Sequence, residues 1–213
     1  MTRKKKRPYE DSISEIHSSN IDIDNRVIYL QEKEDSSESN GIDFRVAQNF
    51  VKNMNILQKD SVDPITVYMQ TVGGCWHSGM GIYDAIKYSK CKISIVGWGQ
   101  ICSMGTIIMQ AAEKRVLMPS TLFMCHYGST DLAGDYLSSH NYASVDRKNM
   151  QTMVDIYSER CQKGKFFKDR EDSLSKIKAF IKRKMKDGDW YMTAQQAVDY
   201  GFADHVFSNS LKI

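Results

Sequence analysis

At 213 residues, 41% hydrophobic and 26% charged, the chain can bury one core of respectable size with one appended element, and is too short for a second full domain. A net charge of +3 is too small to imply nucleic acid as a partner, and none is expected. No apolar run approaches the roughly 18 residues that span a bilayer, and no apolar h-region follows the N-terminal basic residues; a cytoplasmic protein without membrane contact is predicted.

Five cysteines stand at 75, 91, 102, 125 and 161 with no Cys-x-x-Cys pair. That pattern fits neither a disulfide framework nor a zinc ribbon, so they read as reduced packing residues, and no metal or cofactor is predicted.

The opening Met1-Thr2-Arg3-Lys4-Lys5-Lys6-Arg7 and the polar residues behind it predict a flexible basic tail over 1–24, with a globular unit over 25–213. Arg26-Val27-Ile28-Tyr29-Leu30 reads as a first strand, followed by a charged loop from Gln31 to Gly41. Phe44, Ala47, Phe50, Val51, Met54 and Leu57 recur at helical spacing, predicting an amphipathic helix that ends near Lys59. Ile65-Thr66-Val67-Tyr68-Met69-Gln70 alternates like a strand and runs into Gly73-Gly74. That double glycine is either a tight turn or a place where backbone N–H groups approach a ligand. A helix from about Ser78 to Ser89 follows.

Lys92-Ile93-Ser94-Ile95-Val96 has the β-branched run of a buried strand, and Thr106 to Lys114 has helix length and composition. Between them lies Gly97-Trp98-Gly99-Gln100-Ile101-Cys102-Ser103-Met104-Gly105. A serine at such a junction sits at a helix N-terminus, where unpaired N–H groups favour negative charge. It is either an N-cap or a nucleophile whose oxyanion would be stabilised there. Arg115-Val116-Leu117-Met118 and Leu122-Phe123-Met124-Cys125-His126 read as two more strands. The histidine ending the second is either a polar strand tip or a base. The order of elements predicts an α/β domain with its site at the strand C-terminal ends.

A helical insertion over about 128–188 is expected to project from this core, with helices from about Tyr142 to Cys161 and from Leu174 to Met185. Lys176, Lys178, Lys182, Arg183, Lys184 and Lys186 give the second a solvated basic face. Asp189-Trp190-Tyr191-Met192-Thr193 leads into a short helix, Ala194 to Tyr200, stopped by Gly201, and Ala203 to Phe207 forms a last strand.

Four segments in this order resemble the ClpP family, the proteolytic subunits of ATP-dependent Clp proteases, within the ClpP/crotonase superfamily. Gly99-Gln100-Ile101-Cys102-Ser103-Met104-Gly105 is similar to the family's nucleophile motif, and Gly73-Gly74 with Gly79-Met80-Gly81-Ile82-Tyr83-Asp84 to its Pro-Gly-Gly segment and following helix. Phe123-Met124-Cys125-His126 is similar to the strand carrying the family histidine, and Asp189 to Asp204 to the segment carrying its aspartate. Val72 stands where the family has proline, and Tyr127-Gly128 where it has Gln-Pro.

The resemblance implies an α/β fold with a ClpP/crotonase-like repeated ββα core and a projecting helical handle. It implies Ser103 as nucleophile, His126 as general base, Asp189 as the group orienting the imidazole, and the N–H groups of Gly74 and Met104 as oxyanion hole. It further implies polypeptide substrates, a homo-oligomer of heptameric or stacked rings, and an AAA+ unfoldase partner. Three other readings share the scaffold. They are a phage head-maturation protease of ClpP type without an unfoldase, a crotonase-like acyl-CoA enzyme, and an inactive structural subunit. The joint presence of serine, histidine and aspartate argues against the last two.

Overall fold

The computed structural model describes residues 9–31, 41–129 and 135–211. The basic run at 1–8, residues 32–40 of the charged loop and residues 130–134 lie outside the described part.

Within the predicted tail the structure describes regular elements from Tyr9 onward, anchored on the core from Ser19. Helix α1 (Tyr9–Ser19) leads into β1 (Ile21–Asp22), which pairs antiparallel with β2 (Val27–Leu30). The reason is a small set of anchors in an otherwise polar stretch. Ile21 is buried, Ile23 packs on the core, and buried Asn53 donates through Nδ2 to the carbonyl of Ser19 at 2.7 Å.

Helix α2 (Phe44–Asp60) is capped by Asp43, whose carboxylate accepts the N–H groups of Arg45 and Val46, and it buries Phe50, Met54 and Leu57. Strand β3 (Ile65–Thr71) alternates strictly between buried and half-buried residues. The chain then runs through α3 (Trp76–Lys87), β4 (Ile93–Cys102), α4 (Met104–Met109), β5 (Lys114–Leu117) and β6 (Leu122–Cys125). Strands β2, β3, β4 and β5 pair in parallel in that order, and β8 (His205–Val206) extends the sheet beyond β5.

Strand β4 is longer than the predicted Lys92–Val96 run because the glycines do not end it. Its first half pairs with β5 through Gly97↔Leu117, and its second half pairs with β6 through Gln100↔Leu122. Between Met69↔Gly97 and Thr71↔Ile101 the register with β3 shifts, a bulge that bends β4 from one partner to the other. Helix α4 is shorter than predicted. Gln110, Ala111 and Ala112 donate to carbonyls three residues back, so the chain tightens out of the helix before Glu113.

The insertion projects only in part. Helix α5 (Tyr136–Cys161) starts earlier than predicted because Asp135 caps it, accepting the N–H groups of Leu137 and Ser138. Its first half exposes Leu137, Tyr142 and Val145, whereas Met153, Val154, Tyr157 and Cys161 in its second half are buried. Helices α6 (Lys165–Lys168) and α7 (Leu174–Lys186) close the core through Phe167, Ile177, Ile181 and Met185. Phe166, Phe180, Trp190, Tyr200 and Phe202 join them in a cluster of edge-on rings. Strand β7 (Trp190–Thr193), where the sequence reading had only a connection, pairs antiparallel with β6, and α8 (Ala194–Tyr200) follows behind a Thr193–Gln196 capping box. No described helix is long and apolar enough to cross a membrane.

Candidate active site

Sheet register brings three distant residues to one point. In the β4–β6 pair Cys102 stands opposite Met124, so Ser103 leaves the sheet beside the end of β6, and its N–H donates to the Met124 carbonyl at 2.8 Å. In the β6–β7 pair Cys125 stands opposite Trp190, so His126 and Asp189 occupy the next rung. Nε2 of His126 lies 2.8 Å from Oγ of Ser103, and Nδ1 lies 3.1 Å from Oδ1 of Asp189. The histidine side chain is 26% exposed and the aspartate 45%.

Ser103 adopts φ 51 and ψ −121, a strained backbone for a residue with a Cβ. Neighbours hold it there: its carbonyl accepts both the N–H and the hydroxyl of Thr106, at 2.9 and 2.6 Å. The Thr106 hydroxyl is itself 2.6 Å from that of buried Tyr157. Thr106 thus ties the serine turn to the buried half of α5.

Close packing around the turn needs glycine. A Cβ on Gly73, whose φ is +109, would meet the Cβ of Ser103 at 2.5 Å, and one on Gly105 would collide with the Thr71 side chain. The next residue, Gly74, bridges to Ile42, but the ladder bonds run from Ile42 N–H to the Gly73 carbonyl and from Cys75 N–H to the Ile42 carbonyl. The N–H of Gly74 lies outside that pair. Met104 is the first residue of α4, where an N–H has no acceptor within its own helix. Gly74, Ser103, Met104 and His126 line one cleft of about 300 Å³, walled on its far side by Tyr142, Asn149 and Met153 of α5.

The cysteines divide. Cys91, Cys102, Cys125 and Cys161 are buried. Burial pushes the Cys125 thiol up to about 12 and raises that of Cys161 as well. Cys75, read from sequence as a packing residue, is exposed and lines the cleft. Burial tends to raise its thiol, but hydrogen bonds from Ser78 and from the His77 N–H outweigh that and lower it. A second residue the sequence reading gave no role is Tyr191, whose hydroxyl donates to Oδ2 of Asp189 at 3.2 Å. The signal for Cys75 was its place directly after the double glycine. For Tyr191 it was the two-residue spacing from Asp189, which in a strand means a shared face.

The family model for Clp protease matches residues 23–210. The chain belongs to the Clp protease family, and membership makes it an enzyme of the peptidase class. Relatives include ATP-dependent Clp protease proteolytic subunit 2 of Pseudomonas aeruginosa, 27% identical over 81% of this chain and 80% of that one. The proteolytic subunit 2 of Nocardia farcinica is 30% identical over 71% of this chain and 69% of its own length. A ClpP1 variant from Listeria monocytogenes superposes with a TM-score of 0.70 at 24% identity, covering 88% of this chain and 94% of the other, and shares the fold. This Clp protease family member thus carries the family's α/β fold at low identity.

Proposed function

We propose that this family member is a serine endopeptidase in which Ser103 is the nucleophile, His126 the general base and Asp189 the group that orients the imidazole. One observation carries the reading, the unbroken contact line from Ser103 Oγ through His126 to Asp189 at 2.8 and 3.1 Å. Oγ gives its proton to Nε2 and attacks the scissile carbonyl. The imidazolium is stabilised by the carboxylate beside Nδ1 and then protonates the leaving amine. Water, deprotonated by the same imidazole, releases the acyl group and restores the serine.

The charge that develops on the carbonyl oxygen falls to the N–H groups of Gly74 and Met104, each such donor lowering the barrier by on the order of 3 kcal/mol. An extended peptide laid beside Gly73-Gly74 would be read through its backbone, so the enzyme would accept many sequences. A promiscuous site of this kind calls for confinement. A ring-shaped homo-oligomer enclosing the clefts, an AAA+ unfoldase that feeds it and a cytoplasmic location complete the proposal.

Hydrolysis of a fluorogenic peptide, paired with labelling by a fluorophosphonate, tests it. The wild type is expected to turn over substrate and carry the adduct on Ser103, and Ser103→Ala to do neither. Undiminished turnover in Ser103→Ala, or an adduct on Cys102, would overturn the assignment. Electron micrographs with and without a candidate unfoldase test the assembly.

A further inference from the structure

The carboxylate of Asp189 has two oxygens, and only Oδ1 faces His126. It sits directly after Gly188, at φ +118, at the mouth of a strand, and its side chain is 45% exposed. A half-exposed carboxylate on such a stem can rotate about two side-chain torsions, and water competes for both oxygens. Each rotation away from His126 releases the imidazole from the orientation in which Nδ1 carries the proton and Nε2 accepts.

Tyr191 addresses that freedom. It lies two residues on in β7, on the outward face it shares with Thr193, and 56% of its surface is exposed. Core packing does not account for a large aromatic side chain left so open. Its hydroxyl donates to Oδ2 at 3.2 Å, the oxygen opposite the one that meets His126. With Oδ1 held by the ring nitrogen and Oδ2 by the phenol, the carboxylate plane is pinned at both corners. The hydrogen bond to Asp189 also raises the Tyr191 phenol above its ordinary value, so the charged carboxylate holds the donor proton more firmly.

We propose that Tyr191 is a positioning residue for the Ser103–His126–Asp189 line, acting through Asp189 and touching neither substrate nor nucleophile. The inference rests on the serine-peptidase reading and deepens it. The alternative is a plain surface aromatic whose ring shields β7; its hydroxyl would then be incidental, and phenylalanine would serve as well.

The test is a double-mutant cycle in steady-state peptide hydrolysis with wild type, Tyr191→Phe, Asp189→Ala and the double variant, each also followed through thermal unfolding. Tyr191→Phe is expected to lower kcat about 3- to 10-fold, the scale of one hydrogen bond, with KM and the unfolding midpoint unchanged. In the Asp189→Ala background the same change is expected to have no further effect, because the acceptor oxygens are gone. Wild-type kcat in Tyr191→Phe, or losses that multiply in the double variant, would overturn the proposal. A wild-type protein without Ser103-dependent turnover would overturn the peptidase reading and this role with it. That pattern is distinct from an active enzyme indifferent to Tyr191→Phe.

Discussion

His126 and Asp189 face each other one rung beyond the last β6–β7 pair, Cys125↔Trp190, with Nδ1 and Oδ1 3.1 Å apart. Their alignment is therefore a property of strand register, and a slip of one residue in either strand would turn that strand's side chain to the other face. Because the contact is built by the backbone, Asp189→Asn should leave the geometry in place while removing the charge that stabilises the imidazolium and fixes its tautomer. A fall in kcat of about 10³-fold is expected, with KM far less affected. Turnover within a few-fold of wild type would show that Asp189 is a bystander.

Gly73 tests the seat of Ser103. A methyl group there must displace the Cβ of Ser103, 2.5 Å away, and the φ of +109 disfavours any side chain. Displacements of about 1 Å cost on the order of 10²-fold in rate, so Gly73→Ala is expected to lose at least that in kcat/KM. Far-ultraviolet circular dichroism of the variant should match wild type. Retained activity would mean the serine turn is not held as tightly as its contacts indicate.

Much of this site was legible before any coordinates, for a definite reason. Glycines that permit close approach, a serine at a strand-to-helix junction and a histidine at a strand end are local features, and local features survive in sequence. What was lost lay in long-range pairing. Strand β7 has only four residues, and its alternation of Trp190 and Met192 inward with Tyr191 and Thr193 outward is too short to register as a period. Without it, nothing in the sequence placed Asp189 opposite His126 except the family resemblance. The partner switch of β4 was hidden for a similar reason, since Gly97 and Gly99 read as an end although they are a bend within the strand. The short strand at Ile21–Asp22 escaped because its anchors, Ile21 and the bond from Asn53 to the Ser19 carbonyl, act across the fold.

The cysteines should react in the order set by their surroundings. Cys75 is exposed with a lowered thiol, whereas burial holds Cys125 near 12. Iodoacetamide applied to the native protein at neutral pH is expected to alkylate Cys75 well ahead of Cys125 and Cys161, read by mass spectrometry of peptides. The rate should rise with pH around a midpoint lowered from that of an ordinary exposed thiol. Since Cys75 lines the cleft beside Gly74, alkylation should also slow peptide hydrolysis, and Cys75→Ser should remove that sensitivity. Faster labelling of Cys125 would show that the β6 region opens.

Away from the cleft, Arg115 is a buried cation, and Asp204 meets it with both carboxylate oxygens, accepting from the Arg115 N–H, Nε and Nη2 at 2.8, 3.1 and 2.5 Å. Gln110 and the carbonyls of Gly201 and Phe202 take Nη1, so the guanidinium joins β5 to the turn after α8. Burial pushes the Asp204 carboxyl up, but the arginine outweighs it and holds it below the usual carboxylate range. A lowered folded-state value means stability that is complete above the unfolded-state value of about 3.9 and lost as pH falls through the lower, folded one. Asp204→Asn leaves a buried cation without its counter-charge and is expected to cost about 3 kcal/mol near pH 7, a fall in unfolding midpoint of roughly 6–12 °C. The gap between wild type and variant should narrow as pH drops below about 4, because the wild type then loses the same charge. Equal midpoints at pH 7, or a gap that widens in acid, would show that the pair does not tie β5 to the turn after α8.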